Sequence, residues 1–329
     1  MNYLGIDVSK DKIDCCLLIN DISKKGKAKI FPNNEGGFNK LVTWLNQKNI
    51  QYSDLLVTLE ATGIYHENLC YFLNDLKIKI AISNPMRTRR FAQGMSILNK
   101  TDKVDSEVLA KYGALAPIKL WQPDSENFRE LCDLMVRRDA LSTDLVRENN
   151  RLEKSMFTTT SKQVITMIQE NMQHIQSYID QIDNLIDQLI ERDADLSQEM
   201  QLLTSIPAIG QRTALQMLNL FHGKDFESAG SAAAYVGLVP VQKQSGTSVR
   251  GATKISKAGS SRIRSALYMA AIVAIRFNPH TKVLYDRLLK NGKSKMSALC
   301  AVMRKLVYLC YGVLKHKMPY QADYALKFA

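Results

Sequence analysis

Hydrophobic and polar positions over the first 120 residues switch between a period of two and a period near three and a half. Residues 2–9 and 11–19 read as two short apolar strands joined by a tight polar turn at Lys10-Asp11, so a hairpin opens the chain. Phe38, Leu41, Val42 and Leu45 recur at helical spacing, residues 54–59 form a buried-strand pattern, 63–76 are helical again, and 78–82 return to strand. Strands alternating with helices behind a hairpin predict an α/β domain, a mixed sheet with helices packed on it, over residues 1–120. Asn84-Pro85 ends the last of these strands, a basic segment with Arg87, Arg89 and Arg90 follows, and a helix begins near Thr101-Asp102.

From about Phe128 to Leu196 the strands vanish. Leu134, Leu141, Leu145 and Leu152 fit one register of alternating threes and fours, and Ile175, Ile179, Ile182, Ile186 and Leu189 fit another. Two long coiled-coil helices are therefore predicted over 121–200, broken between Met156 and Lys162 by the cluster Thr158-Thr159-Thr160-Ser161. Spacing leaves open whether they pair as a hairpin in one chain or join two chains; self-association is favoured, because a two-helix hairpin has only one other helix to cover its apolar stripe. Residues 201–329 read as a mainly helical third domain. Ser205-Ile206-Pro207-Ala208-Ile209-Gly210 stands between two apolar helices as a plain turn or a helix-hairpin-helix that holds a phosphate, and residues 261–275 and 297–314 are apolar and helix-like.

Length and composition add bounds. A chain of 329 residues with 46% hydrophobic and 23% charged residues has ordinary globular make-up and room for more than one domain. The apolar run Ala266 to Ile275 stops at Arg276, well short of the roughly 20 residues a bilayer helix needs, so no span is expected. Without a basic and then apolar leader, the cytoplasm is the expected compartment. The cysteines at 15, 16, 70, 132, 300 and 310 have no metal-ligand spacing and read as reduced core thiols.

Charge changes the picture more. Net charge is +12, yet residues 241–320 hold sixteen Lys and Arg against a single acid, Asp286. A field of one sign on part of a protein suits a polyanion, and nucleic acid is the usual one. Within that block Ser245, Thr247 and Ser248 alternate with Arg250, Lys254 and Lys257, an inventory of hydroxyls and cations suited to phosphate, and Arg262 and Arg264 follow at the next helix.

The acids of the N-terminal half point to chemistry. Asp7 lies mid-strand, where a carboxylate needs a cation or several donors. Glu60 ends the strand pattern of 54–59, and Asp102 and Asp105, three apart, share a helix face. Each except Asp7 has an ordinary reading taken singly, as helix cap, first-turn acid or strand-end charge. Convergent carboxylates about 5 Å apart would repel by roughly 3 kcal/mol at an effective dielectric of 20. An oxygen-only set then selects Mg²⁺ or Mn²⁺ and in-line displacement at phosphate.

Strand Asp, strand-end Glu and a helical D-x-x-D resemble the DEDD, RuvC-like ribonuclease-H-fold domain. With GIDVSKDKID, LEATGIYHENL, KTDKVDSEVLA, SIPAIG, AAYVGLVP and SGTSVRGATKISKAG in order, the chain resembles the transposases of the one-hundred-and-ten family of bacterial insertion sequences. Ala208 departs from the glycine often found there. The resemblance implies metal bound by Asp7, Glu60, Asp102 and Asp105, and a nucleophilic Ser245 that forms a covalent phosphoserine with DNA. It also implies phosphate neutralised by Arg250, Lys254 and Lys257, a Holliday-junction-type intermediate, a bridge RNA guiding donor and target DNA, and a homodimer or homotetramer. Two other readings stand beside it: a Mg²⁺-dependent RuvC-like junction endonuclease using activated water, and an architectural nucleic-acid-binding protein.

Overall fold

The computed structural model describes residues 1–329 apart from 22, 24, 61–62, 98–100, 223, 225, 243, 246–248, 251–253 and 323–329, and apart from the side chains of 103, 244, 245, 249 and 250. The chain divides into two compact units, 1–123 and 124–329.

The first unit is the expected mixed sheet. Strands β1 (Asn2–Val8), β2 (Lys12–Leu18), β3 (Lys27–Pro32), β4 (Leu55–Glu60) and β5 (Lys79–Ser83) lie in the order β3-β2-β1-β4-β5. β1 to β3 run antiparallel, and β4 and β5 add in parallel to β1. Helices α1 (Glu35–Gln47), α2 (Glu67–Asp75), α3 (Pro85–Gly94) and α4 (Asp102–Leu115) complete the unit. Strand alternation assigns the two faces. Leu4, Ile6, Ile13, Cys15, Val57 and Leu59 share one core with Phe38, Leu41 and Leu45 of α1 and Leu69 and Leu73 of α2. β3 is the strand the sequence pattern missed. It is an edge strand that buries only Phe31, ends in Pro32 and exposes Lys27 and Lys29, so it lacks the apolar alternation of a central strand.

The opposite face is set by glycine. A Cβ on Gly5 would lie 2.0 Å from the Ser106 carbonyl oxygen, and one on Gly113 would lie 2.1 Å from Thr58 Oγ1, so α4 rests directly on β1 and β4. Thr101 caps α4 by accepting from Val104 N, and Asp102 and Asp105 occupy its first turn, where the helix dipole favours acids.

The second unit is helical. α5 (Glu126–Met156) and α6 (Lys162–Arg192) break where expected, and each 31-residue helix is about 46 Å long. They pair with each other, antiparallel, within one chain: Asn127 donates to Asp193 at 2.9 Å near the base and Arg138 to Asp183 at 2.8 Å further along. This intrachain pairing covers the isoleucine stripe that the sequence left open to self-association. Short helices α7 (Ala194–Thr204), α8 (Gln211–His222) and α9 (Ala229–Val236) follow. Paired two-residue strands β6 (Pro240–Val241) with β9 (Lys254–Ile255) and β7 (Gln244–Ser245) with β8 (Val249–Arg250) come next. α10 (Ser261–Phe277), α11 (Pro279–Lys290) and α12 (Lys295–His316) close the unit. One core runs from Phe128 through the hairpin base to Val313.

By length and composition alone α12 could cross a membrane, against the expectation of no span. Arg304 and Lys305 sit at its middle, and Val302, Leu306, Val307 and Cys310 pack into the core. All six cysteines are thiols outside any disulfide; Cys15, Cys16, Cys70 and Cys310 are buried, and burial pushes the Cys70 thiol up to about 12.

Candidate active site

The fold carries the four predicted acids to one face and one end of the sheet. Asp7 lies two residues beyond Gly5 and so on the face that α4 covers; Glu60 shares that face with Thr58 at the end of β4. In the parallel register Ile6 pairs with Leu59, and one step further brings Asp7 beside Glu60. Asp102 and Asp105 lie in the α4 turn that precedes Ser106, the residue seated on Gly5.

Two residues that sequence reasoning passed over belong to the same place. Asp14 is the cross-strand partner of Asp7 and is only 9% exposed. Lys12 extends its ammonium between Asp14 and Asp102, with Nζ 3.0 Å from Asp14 Oδ2 and 2.7 Å from Asp102 Oδ2. Hydrogen bonding to Asp102, then to Asp14, holds the Lys12 ammonium well above the usual lysine range, so it stays charged at any working pH. The signal for both lies in the hairpin: residues 7 and 14 are equidistant from the Lys10-Asp11 turn and must therefore face each other.

Among the described residues no three His, Cys, Asp or Glu side chains close into a cation-binding cluster. The backbone assembles the acids at one end, and the cation seen between two carboxylates there is an ammonium. In its chemistry, oxygen alone, this donor set fits a hard divalent ion.

In the second unit Ser245 ends β7, paired with Val249 across a hairpin nested inside the β6–β9 pair; the side chains of Ser245 and Arg250 lie outside the described residues. The loop that carries this hairpin is locked to the end of α9. Gly237 and Gly259 take φ of +84° and +75°, and a Cβ on either would meet backbone at 2.2 and 2.1 Å. Arg264 Nη1 donates to the carbonyls of Val236, Ala258 and Gly259 at 3.0–3.1 Å, so this cation ties the loop down. Arg262 pairs with Asp139 of α5 at 3.0 Å, and Lys254 and Lys257 are exposed. Arg87, Arg89 and Arg90 are exposed on α3, in the first unit. A cleft of about 740 Å³ at the base of the hairpin is lined by Arg138, Asp139, Asp183, Arg212 and Arg262, and holds none of the four acids.

Comparison with known proteins adds family evidence. Residues 4–161 match a DEDD transposase family of the IS110 type, described as Transposase, and residues 200–286 match the Transposase IS116/IS110/IS902 family. Two relatives, each called "Pilin gene-inverting protein", from Moraxella bovis and Moraxella lacunata, are 34% identical over 320 residues, 97% of this chain and 97% of their own. Among solved structures, Thermus thermophilus RuvC aligns over 37% of this chain and 100% of its own at 12% identity and a TM-score of 0.28.

Proposed function

Because this chain belongs to the IS116/IS110/IS902 family of transposases, we propose that it cuts donor and target DNA by serine attack on phosphate and rejoins the ends through a covalent phosphoserine intermediate. Asp7, Glu60, Asp102 and Asp105 would hold Mg²⁺ or Mn²⁺, which polarises the scissile phosphate when bound. Ser245 Oγ forms a bond to phosphorus as the bond to the departing strand breaks, so the number of phosphoester bonds is unchanged and rejoining needs no outside energy source. The exposed cations of α3, Arg87, Arg89 and Arg90, together with Arg250, Lys254, Lys257 and Arg262, take the phosphate backbone. Arg264 serves through the loop it ties.

The observation that carries this reading is the meeting of β1, β4 and the first turn of α4, with their four acids, at one sheet end. The name of the two Moraxella relatives supports rejoining as well as cutting, because inverting a gene leaves the DNA continuous. A bridge RNA that pairs with both DNAs, a dimer or tetramer, and work on the nucleoid in the bacterial cytoplasm complete the reading.

With DNA and Mg²⁺, Ser245→Ala should abolish a covalent protein–DNA adduct while DNA binding persists. Cleavage that survives in Ser245→Ala would favour the junction endonuclease with activated water. Cleavage unaffected by Asp7→Ala and Asp102→Ala would leave only an architectural role.

A further inference from the structure

Lys12 is not one of the four acids, yet its ammonium is the cation two carboxylates of this site hold. Asp14, nearly buried and directly across from Asp7, puts two negative groups side by side in the sheet, and such a pair needs a counter-charge. Lys12 supplies one to Asp14. Its second partner needs no such help, because Asp102 is 58% exposed and could be solvated by water alone. The lysine therefore spans from a residue that requires it to one that does not. The one that does not is a candidate metal ligand. An ammonium 2.7 Å from Asp102 Oδ2 leaves the carboxylate other lone pairs, but a divalent ion on the same group would stand within a few ångströms of it, and the two cations repel.

We propose that Lys12 is a built-in competitor for the metal ion: anchored on Asp14, it neutralises Asp102 and repels a divalent ion arriving there, so the ion binds at full strength only when Lys12 swings off Asp102 Oδ2. The inference rests on reading Asp102 as a metal ligand. It makes metal affinity a balance between two cations, set by the fraction of time Lys12 spends off Asp102. Lys12 is itself 43% exposed, so its long side chain has open solvent to move into.

The test is Mn²⁺ binding by the full chain, followed by the electron paramagnetic resonance of the free ion, for wild type, Lys12→Met and Lys10→Met. Lys10 is an exposed lysine of the same turn and controls for loss of charge. Lys12→Met should tighten Mn²⁺ about tenfold, the gain expected if Lys12 holds Asp102 nine-tenths of the time, and Lys10→Met by less than about twofold. In the wild type, amine-directed labelling of Lys12, read by mass spectrometry, should rise as Mn²⁺ saturates, with Lys10 labelling unchanged. Equal tightening by the two variants, or Lys12 labelling indifferent to bound Mn²⁺, overturns the competition while leaving the metal site in place. Mn²⁺ binding by neither wild type nor Lys12→Met overturns the inference together with the ligand reading of Asp102.

Discussion

Gly5 and Ser106 touch through backbone: a Cβ at Gly5 would stand 2.0 Å from the Ser106 carbonyl oxygen and 2.3 Å from Ala110 N. No flexible side chain is present to yield. Gly5→Ala should therefore push α4 off β1, lower stability by roughly 1–3 kcal/mol as overpacking does, and weaken Mn²⁺ binding, because the turn bearing Asp102 and Asp105 moves with the helix. Urea denaturation and Mn²⁺ titration of the same variant check both effects. A variant as stable as the wild type would show that the close approach does not matter.

Ala208, in the turn between α7 and α8, takes φ of +81°, a region where a Cβ is penalised and glycine is at home. Left-handed backbone costs an L-residue roughly 1–2 kcal/mol, and glycine gives back about 0.5–1 kcal/mol in chain entropy. Ala208→Gly should thus stabilise the second unit by about 0.5–1 kcal/mol, seen as a higher urea midpoint at unchanged slope.

Arg264 donates to three carbonyls from one nitrogen. Lysine keeps the charge, but its side chain ends one bond short of the nitrogen that makes all three contacts. Arg264→Lys is expected to lower stability by about 1.5–3 kcal/mol, the worth of a hydrogen bond to a charged group, and to reduce the yield of the DNA adduct. The dependence of DNA affinity on salt should stay the same, since that slope counts phosphate contacts. A flatter slope in fluorescence anisotropy between 50 and 200 mM salt would instead make Arg264 a phosphate contact.

His222 gives the second unit a pH dependence. It stacks on Phe128 with centroids 4.4 Å apart, and its Nε2 meets Glu199 Oε2; hydrogen bonding to that carboxylate raises the imidazole above its ordinary 6.5 against the opposing effect of burial. A raised folded-state value means that the charged pair stabilises fully below pH 6.5 and that the contribution fades as pH climbs through the raised value. Unfolding midpoints measured from pH 5.5 to 8.5 should fall in wild type. His222→Gln should remove that part of the slope.

Much of this architecture was legible in the pattern of residues because the decisive elements are strongly periodic. The hairpin of β1 and β2, the break between α5 and α6, and the start of α4 at Thr101-Asp102 emerged within a residue or two of their places. β3 did not, because an edge strand that buries one side chain carries no alternation to read. α9 and α11 escaped for a related reason: α9 is an alanine-rich helix of 8 residues, and α11 buries Thr281 alone. Among the site residues, the four acids stood out as charges in apolar surroundings or paired on a helix. Asp14 and Lys12 did not, since their meaning lies in cross-strand register and in a contact between residues 90 apart in the chain.

The short link between β1 and β2 has a further consequence. Facing side chains of a sheet swap with every residue, so Asp14 and Cys16 point toward α4 while Ile13, Cys15 and Leu17 point toward α1 and α2. Adding or deleting one amino acid at Lys10-Asp11 would turn Asp14 into the oily layer and thrust Ile13 among the carboxylates. That connection is a measuring device whose length, rather than its composition, protects the chemistry, and homologous chains should tolerate many substitutions there but scarcely any change in count.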